Sequence, residues 1–360
     1  MSELTFNVPI NQTSFGQVSV ALLREMYDRE MSPLLFPIGG DINLSTHKED
    51  KDFQNWLVDA SRRAFEKHNR NNKTLKLWHI NGALESFSND QLLMTFYELD
   101  DLTPAERNAL LNNRVAVTSS YTKEIFESVG LCADFVPLGF DKYNFYRTDK
   151  KYFEDDRITF NLCGKFEHRK HHVKILRAWA KQFGNNTKYH LQCSLYNNFL
   201  SPEQNNEIIA KALNGVRYSN ITFLNFMAEN SKYNEFLNAS DIILGMSGGE
   251  GWGLPEFQSV CLGKHAVILN AHAYKDWATK ETCVMIEPSG KTPSEDGMFF
   301  RKGSPFNQGE FFSWEEGDFI NGCYDAIKRV KDTGRVNAKG IELQEQFTYS
   351  KTLDKILEIL

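Results

Sequence analysis

The 360-residue sequence has no unbroken apolar run of about 18 residues, so no membrane-spanning helix is expected. Its opening MSELTFNVPI lacks the basic and apolar regions of a secretory signal. There is no CxxC pair: the six cysteines (Cys132, Cys163, Cys193, Cys261, Cys283, Cys323) are scattered, several of them in apolar runs. Free thiols in a reducing, cytoplasmic setting follow, in a protein that is not integral to a membrane. GxSxG, HExxH and Cys–His signatures are all missing, which leaves no evident nucleophile. His168, His171 and His172 match no common zinc spacing, and Asp50-Lys51-Asp52 lies in a charged stretch, so no metal site is expected. Positive charge is not in surplus either. Lys and Arg number 41 against 47 Asp and Glu, a net charge of −6, and residues 1–150 hold 16 against 21. This argues against broad polyanion binding.

What is present is a regular alternation of short apolar runs and amphipathic stretches. Strands are expected at 34–37, 75–80, 92–97, 114–118 and 134–137, then at 158–163, 189–194, 221–224, 241–244 and 266–269. Helices are expected at 18–29, 52–68, 104–112 and 123–129, then at 173–182, 202–213, 231–238 and 255–262. Alternation of this kind predicts α/β architecture with parallel sheets. The polar, aromatic stretch 141–156 separates two halves, each long enough to be a domain. Two doubly wound domains would bind a ligand between them, at the carboxyl ends of their strands.

The most informative stretch is Met246-Ser-Gly-Gly-Glu-Gly-Trp-Gly-Leu-Pro-Glu-Phe-Gln-Ser-Val260. An apolar strand leads into it and an apolar helix leads out to Gly263. The glycines permit close approach of backbone to a ligand, and Pro255 suits the first helical position. The N-terminus of such a helix is an anion site. Glu250 must then contact something other than a phosphate, and a sugar hydroxyl is the natural candidate.

This stretch resembles the signature of retaining glycosyltransferases of family four, which have the GT-B fold: Ser-x-x-Glu-Gly-Phe-Gly-Leu-Pro-x-x-Glu. Ser247, Glu250, Gly251, Trp252 (for Phe), Gly253, Leu254 and Pro255 match, and Gln258 stands where the second glutamate belongs. The resemblance extends over nearly the whole chain. Thr13-Ser-Phe-Gly-Gln-Val18 lies where the family has a Gly-rich turn, with only Gly16 retained. Phe160–Lys170 matches the strand and loop that open the donor domain, and Glu345–Leu353 is similar to the family's closing helix. The resemblance implies two Rossmann-like domains facing a cleft. Residues 1–145 form the acceptor side, 146–157 the linker, 158–345 the nucleotide-sugar side, and 346–360 a helix crossing back.

By the same resemblance the protein moves a sugar from a nucleoside-diphosphate sugar to a hydroxyl acceptor. Configuration is retained by a metal-independent, front-side path, with no cofactor. Glu250 holds donor-sugar hydroxyls, while Lys165 and Lys170, with Arg169 adjacent, meet the diphosphate or form a solvated loop, and His79 lies near the sugar or is a structural strand-end histidine. Ser14, Gly16 and Gln17 cover the diphosphate from the opposite domain. Ser247, Gly251, Trp252, Gly253 and Leu254 shape the donor site, and Gln258 accepts from the ribose with less strength than a carboxylate. Glu256, two residues earlier, is expected on another helix face as a dipole-favourable acid. Glu98 and Asp101 sit at a strand end and contact the acceptor or cap the next helix.

The acceptor is a glycan, a lipid, a small molecule or modified DNA. The basic residues Arg62, Arg63, Lys67, Arg70, Lys73 and Lys76 make either a patch for an anionic acceptor or a solvated face. The first would suit hydroxymethylated DNA, as in phage base-modifying glycosyltransferases. Gln258 also motivates a noncatalytic sugar-nucleotide-binding protein of the same fold. An epimerase or phosphorylase lacks the Glu-Gly-x-Gly-Leu-Pro run.

Overall fold

A computed structural model describes residues 4–360. Its first sheet is parallel, with strands β1 (Leu4–Ile10), β2 (Leu34–Ile42), β3 (Lys73–Leu77), β4 (Asp90–Thr95), β5 (Arg114–Val117) and β6 (Asp134–Phe135) in the order 2-1-3-4-5-6. Helices α1 (Ser14–Asp28), α2 (Lys51–Lys67), α3 (Pro104–Leu110) and α4 (Ser120–Ser128) connect the strands. Strand β1 escaped the alternation because LTFNVPI carries Asn7 and Pro9. In the sheet, Asn7 Nδ2 donates to the Phe36 carbonyl at 3.0 Å. Pro9, which has no amide to donate, sits where the register with β2 shifts.

The second sheet is also parallel. Its strands β7 (Ile158–Lys165), β8 (Tyr189–Tyr196), β9 (Ile221–Phe223), β10 (Ile242–Gly245), β11 (His265–Leu269) and β12 (Val284–Ile286) run in the order 12-11-10-7-8-9. Around them lie α5 (His172–Phe183), α6 (Pro202–Ala212), α7 (Asn230–Asn238) and α8 (Leu254–Cys261). Beyond β12 come elements that the alternation did not predict. An antiparallel hairpin, β13 (Gly290–Pro293) and β14 (Glu310–Ser313), precedes α9 (Glu316–Thr333) and α10 (Ala338–Gln346).

The single closing helix expected over 345–353 is two helices. Helix α10 stops before Phe347, and Thr348 caps α11 (Tyr349–Ile359), its side chain accepting from the Lys351 amide at 3.1 Å. A hydroxyl N-cap starts a new helix more favourably than it continues an old one. Helix α11 returns to the first sheet's side of the molecule. Thr352 donates to the Pro137 carbonyl at 2.8 Å, and Arg29 binds Ser350 Oγ at 2.6 Å and Asp354 at 2.5 Å. The stretch between the sheets is tethered rather than free, with the Tyr146 and Thr148 amides donating to Asn234 at 3.2 Å and Asn238 at 2.9 Å on α7.

Leu353 and Ile356 give α11 its fully buried face. Leu353→Ala is expected to lower the unfolding free energy by about 2–5 kcal/mol. Lys355→Ala, on the exposed face beside Glu358, should change it by no more than about 0.5 kcal/mol. Denaturant titration of both variants checks this.

Candidate functional site

The strand order reverses between β1 and β3 in one sheet and between β7 and β10 in the other. Ligand crevices of open α/β sheets lie at such points, and here the two face each other. From the first sheet come the turn after β1 and the strand end at His79. Gly16 is required in the first turn of α1, because a Cβ there would overlap the Asn11 backbone. Phe15 stacks on Phe96 at 4.2 Å and lies 4.6 Å from the His79 ring. His79 is exposed at this strand end. The surrounding protein lowers its pKa, and Lys165 on the opposite wall lowers it further.

The second sheet contributes the loop after β10, which is pinned on both sides. The Gly248 amide donates to the Arg169 carbonyl at 2.8 Å, and Ser247 Oγ lies 3.1 Å from the Gly249 carbonyl. Thr118, from the first domain, donates to the Gly251 carbonyl at 2.6 Å. A Cβ on Gly249 would overlap the Glu98 carbonyl, and one on Gly251 would lie 2.6 Å from Phe96 Cβ. Gly253 caps α8 in the left-handed region at φ 81°. Leu254 takes the first helical position and Pro255 the second, where the missing amide still leaves no bond unmade.

Beneath this loop lies a buried cluster of charge. The Arg169 guanidinium meets Glu250 at 2.9 Å, Glu98 at 2.9 Å and Glu167 at 3.0 Å, and also donates to the Gly249 carbonyl at 2.7 Å. Lys170 Nζ is 2.5 Å from Glu250, and Lys165 is 2.5 Å from Glu167. Burial alone would raise the Glu250 carboxyl, but Arg169 and Lys170 outweigh it and hold the group well below the usual carboxylate range. Burial raises Glu98 against the pull of Arg169, with Glu250 adding to the rise. Glu256 is raised for the same reason, opposed by Lys170.

Glu250, Lys165, Lys170, Arg169, Glu98 and His79 are therefore brought to one place. Several other expected site residues are not. Arg169 is in the cluster but turned into protein: Nη1 donates to the Gly249 carbonyl and Glu250, while Nη2 and Nε are ion-paired with Glu98 and Glu167. Gln17 ties the domains together instead of covering a ligand: it donates to Thr46 at 3.1 Å and accepts from Asn230 at 3.0 Å. The Trp252 ring is core, 2% exposed and packed on Phe257 and Phe347. Gln258 is buried with no partner on its side-chain oxygen, and Leu254 is half-buried at the helix start. Asp101 faces a seam with residues 304–309, its side chain accepting from the Leu102 amide at 2.8 Å.

Glu256 is in the first turn of α8 as expected but is 3% exposed, turned inward beneath Gly245 and not toward solvent. Glu167 went unread, although its alternation with Lys165 and Arg169 was available as a signal. Phe199 and Phe299, whose rings lie 4.7 and 3.6 Å from Lys165 Nζ, have no local signature. The basic face of α2 is largely neutralised, with Arg62 bound to Asp59 at 2.6 Å and Glu66 at 2.9 Å, and Arg63 also paired with Asp59. Among the described residues no group of three His, Cys, Asp or Glu is placed to hold a metal, and no helix is long and apolar enough to cross a membrane.

No family model matches the sequence, and no curated protein matches it. Solved structures do resemble it. Sucrose-phosphate synthase from Thermosynechococcus elongatus is 12% identical with a TM-score of 0.68, covering 100% of this chain and 98% of its own. Anabaena HepE, in complex with UDP and glucose, is 12% identical with a TM-score of 0.62, covering 99% of each chain. S. aureus TarM is 9% identical with a TM-score of 0.55, over 79% of this chain and 55% of its own. The architecture is the GT-B fold, two Rossmann-like α/β units facing a cleft.

Burial lowers His172 to about 3, helped by Lys170, and lowers His272 to about 4. Both rings are therefore neutral in the folded chain at pH 5.5–8, and NMR should find neither titrating in that range. An unfolded histidine takes up its proton near 6.5. Their contribution to stability is thus fully present above pH 6.5 and is lost as pH falls, down to about 4 for His272 and about 3 for His172.

Proposed function

We propose that this chain of GT-B fold is a retaining glycosyltransferase that takes its sugar from a nucleoside diphosphate. The observation that carries this reading is the convergence of Glu250, Lys170 and Lys165 with the N-terminus of α8 at one switch point, opposite His79 at the other. Departure of a nucleoside diphosphate builds negative charge on its β-phosphate. Fixed cations and aligned backbone amides stabilise that charge most where water is excluded. Lys170, Lys165 and the positive end of the α8 dipole supply them.

Glu250 holds hydroxyls of the donor sugar, and its low pKa keeps it an acceptor at neutral pH. His79, neutral in the cleft, approaches the sugar from the other wall. The acceptor hydroxyl enters on the face the diphosphate leaves, and the departing phosphate oxygen takes its proton, so no enzyme nucleophile or metal takes part. A uridine nucleotide is the first donor to test, since HepE was solved with UDP and glucose and TarM with UDP. The cytoplasm is the compartment this reading favours.

A noncatalytic sugar-nucleotide-binding protein is favoured by one observation, the unpartnered Gln258 oxygen in place of a carboxylate. Acceptance of modified DNA gains nothing from the paired arginines of α2.

Thermal-shift and hydrolysis assays with UDP-, GDP-, ADP- and TDP-sugars, with and without EDTA, test these readings. One donor should stabilise the protein and be slowly hydrolysed, unaffected by EDTA. Lys170→Ala and Glu250→Gln should each lower turnover about 100- to 1,000-fold. Stabilisation without any turnover would favour the binding protein, and full activity in Glu250→Gln would refute the site.

A further inference from the structure

The geometry points to Asp100 as a positioning residue that sets the glycine loop 246–253 through the β13–β14 hairpin. The hairpin is covalently part of the second domain, yet its contacts belong to both. Asp100, in the first domain, accepts the Glu310 amide at 2.7 Å and pairs with Lys291 at 2.8 Å. Asn307 donates its amide to Glu106 at 2.9 Å, and Thr103 donates to the Pro305 carbonyl at 2.6 Å. Phe300 and Phe311 are buried in the first domain's apolar cluster with Leu93, Tyr97 and Leu99.

The next residue along β14 turns to the glycine loop: the Phe312 amide donates to the Gly248 carbonyl at 2.9 Å. Two residues further, Trp314 Nε1 donates to the Met246 carbonyl at 3.1 Å. A Cβ on Gly249 would lie 3.1 Å from Phe311 Cδ1, so loop and strand are in direct contact. Within three consecutive residues, 310–312, the chain thus bonds to the first domain, fills its core, and bonds to the loop that carries Glu250. A displacement of Asp100 reaches Gly248 through two hydrogen bonds and a short length of strand.

This gives the first domain a further grip on the loop, separate from the Glu98–Arg169 pair and the Thr118–Gly251 bond. What the loop holds follows the donor reading above; how the loop is held does not. The test therefore needs no turnover. Amide hydrogen exchange is measured on the ligand-free full chain for wild type, Asp100→Ala, Asp100→Asn and Lys291→Met. Asp100→Ala should speed exchange at Gly248, Gly249 and Phe312 at least threefold, with β1 unchanged. Asp100→Asn keeps an oxygen for the Glu310 amide and should restore the loop to within twofold of wild type.

Lys291→Met removes the ion pair alone and should speed loop exchange by less than Asp100→Ala, but measurably. It carries the same test should Asp100→Ala fail to fold. Acceleration confined to 290–313, with 246–251 exchanging at the wild-type rate in either variant, would overturn the assignment. With a donor identified, Asp100→Ala should raise its KM at least threefold while kcat changes less. A failure of the donor reading leaves the exchange result standing, and a failure of the exchange result leaves the donor reading untouched.

Discussion

The buried Arg169 guanidinium is the interaction on which the site rests. Unpaired, it could not be buried at all, since an isolated charge in the interior is strongly unfavourable. Three carboxylates from three parts of the chain meet it: Glu98 from the first domain, Glu167 from its own loop, and Glu250 from the glycine loop. One planar group with donors in a fixed fork sets all their positions. The cluster also balances its own charge. Lys165, Arg169 and Lys170 face Glu98, Glu167, Glu250 and Glu256, and burial raises two of the four acids. An incoming diphosphate therefore competes with internal carboxylates for Lys165 and Lys170.

Close approach is the second constraint. Gly249 and Gly251 lie against first-domain backbone and the Phe96 side chain, and the Gly248 carbonyl and amide are bonded to different segments. Any side chain at these positions would push the two halves apart. The flexibility that glycine brings to an unfolded loop is absent here, because Gly249 and Gly251 are fixed by neighbours across the seam, and Gly248 and Gly253 by Phe312 and Tyr274 of their own domain.

Much of the architecture was legible because α/β alternation is a local signal. The strand–loop–helix at 242–261 was legible because glycines, an acid and a proline fall at meaningful offsets. Strand β1 was not, since Asn7 and Pro9 are acceptable there only through Phe36 and a register shift in a neighbour far along the chain. The hairpin at 290–313 has no periodicity, and its apolar residues pack into another domain. Within the site, Glu250 stood out from the run around it, and Lys170 from the resemblance of 160–170 to the family's donor-domain strand and loop. Glu98 as a partner of Arg169, Trp252 as core and Glu256 as an inward acid depend on contacts between segments 70 or more residues apart, or on which way a helix faces. No local pattern encodes these.

Helix α11 lies on the domain that begins the chain. During synthesis the surface of α1 that receives it stays bare until residues 146–348 have been made. At about 5–20 residues per second that interval is roughly 10–40 s. Throughout it the first domain carries an uncovered apolar face, so its folding is completed only when residues 349–359 arrive. A ribosome-bound intermediate ending before Tyr349 is consequently the species most exposed to aggregation or chaperone capture.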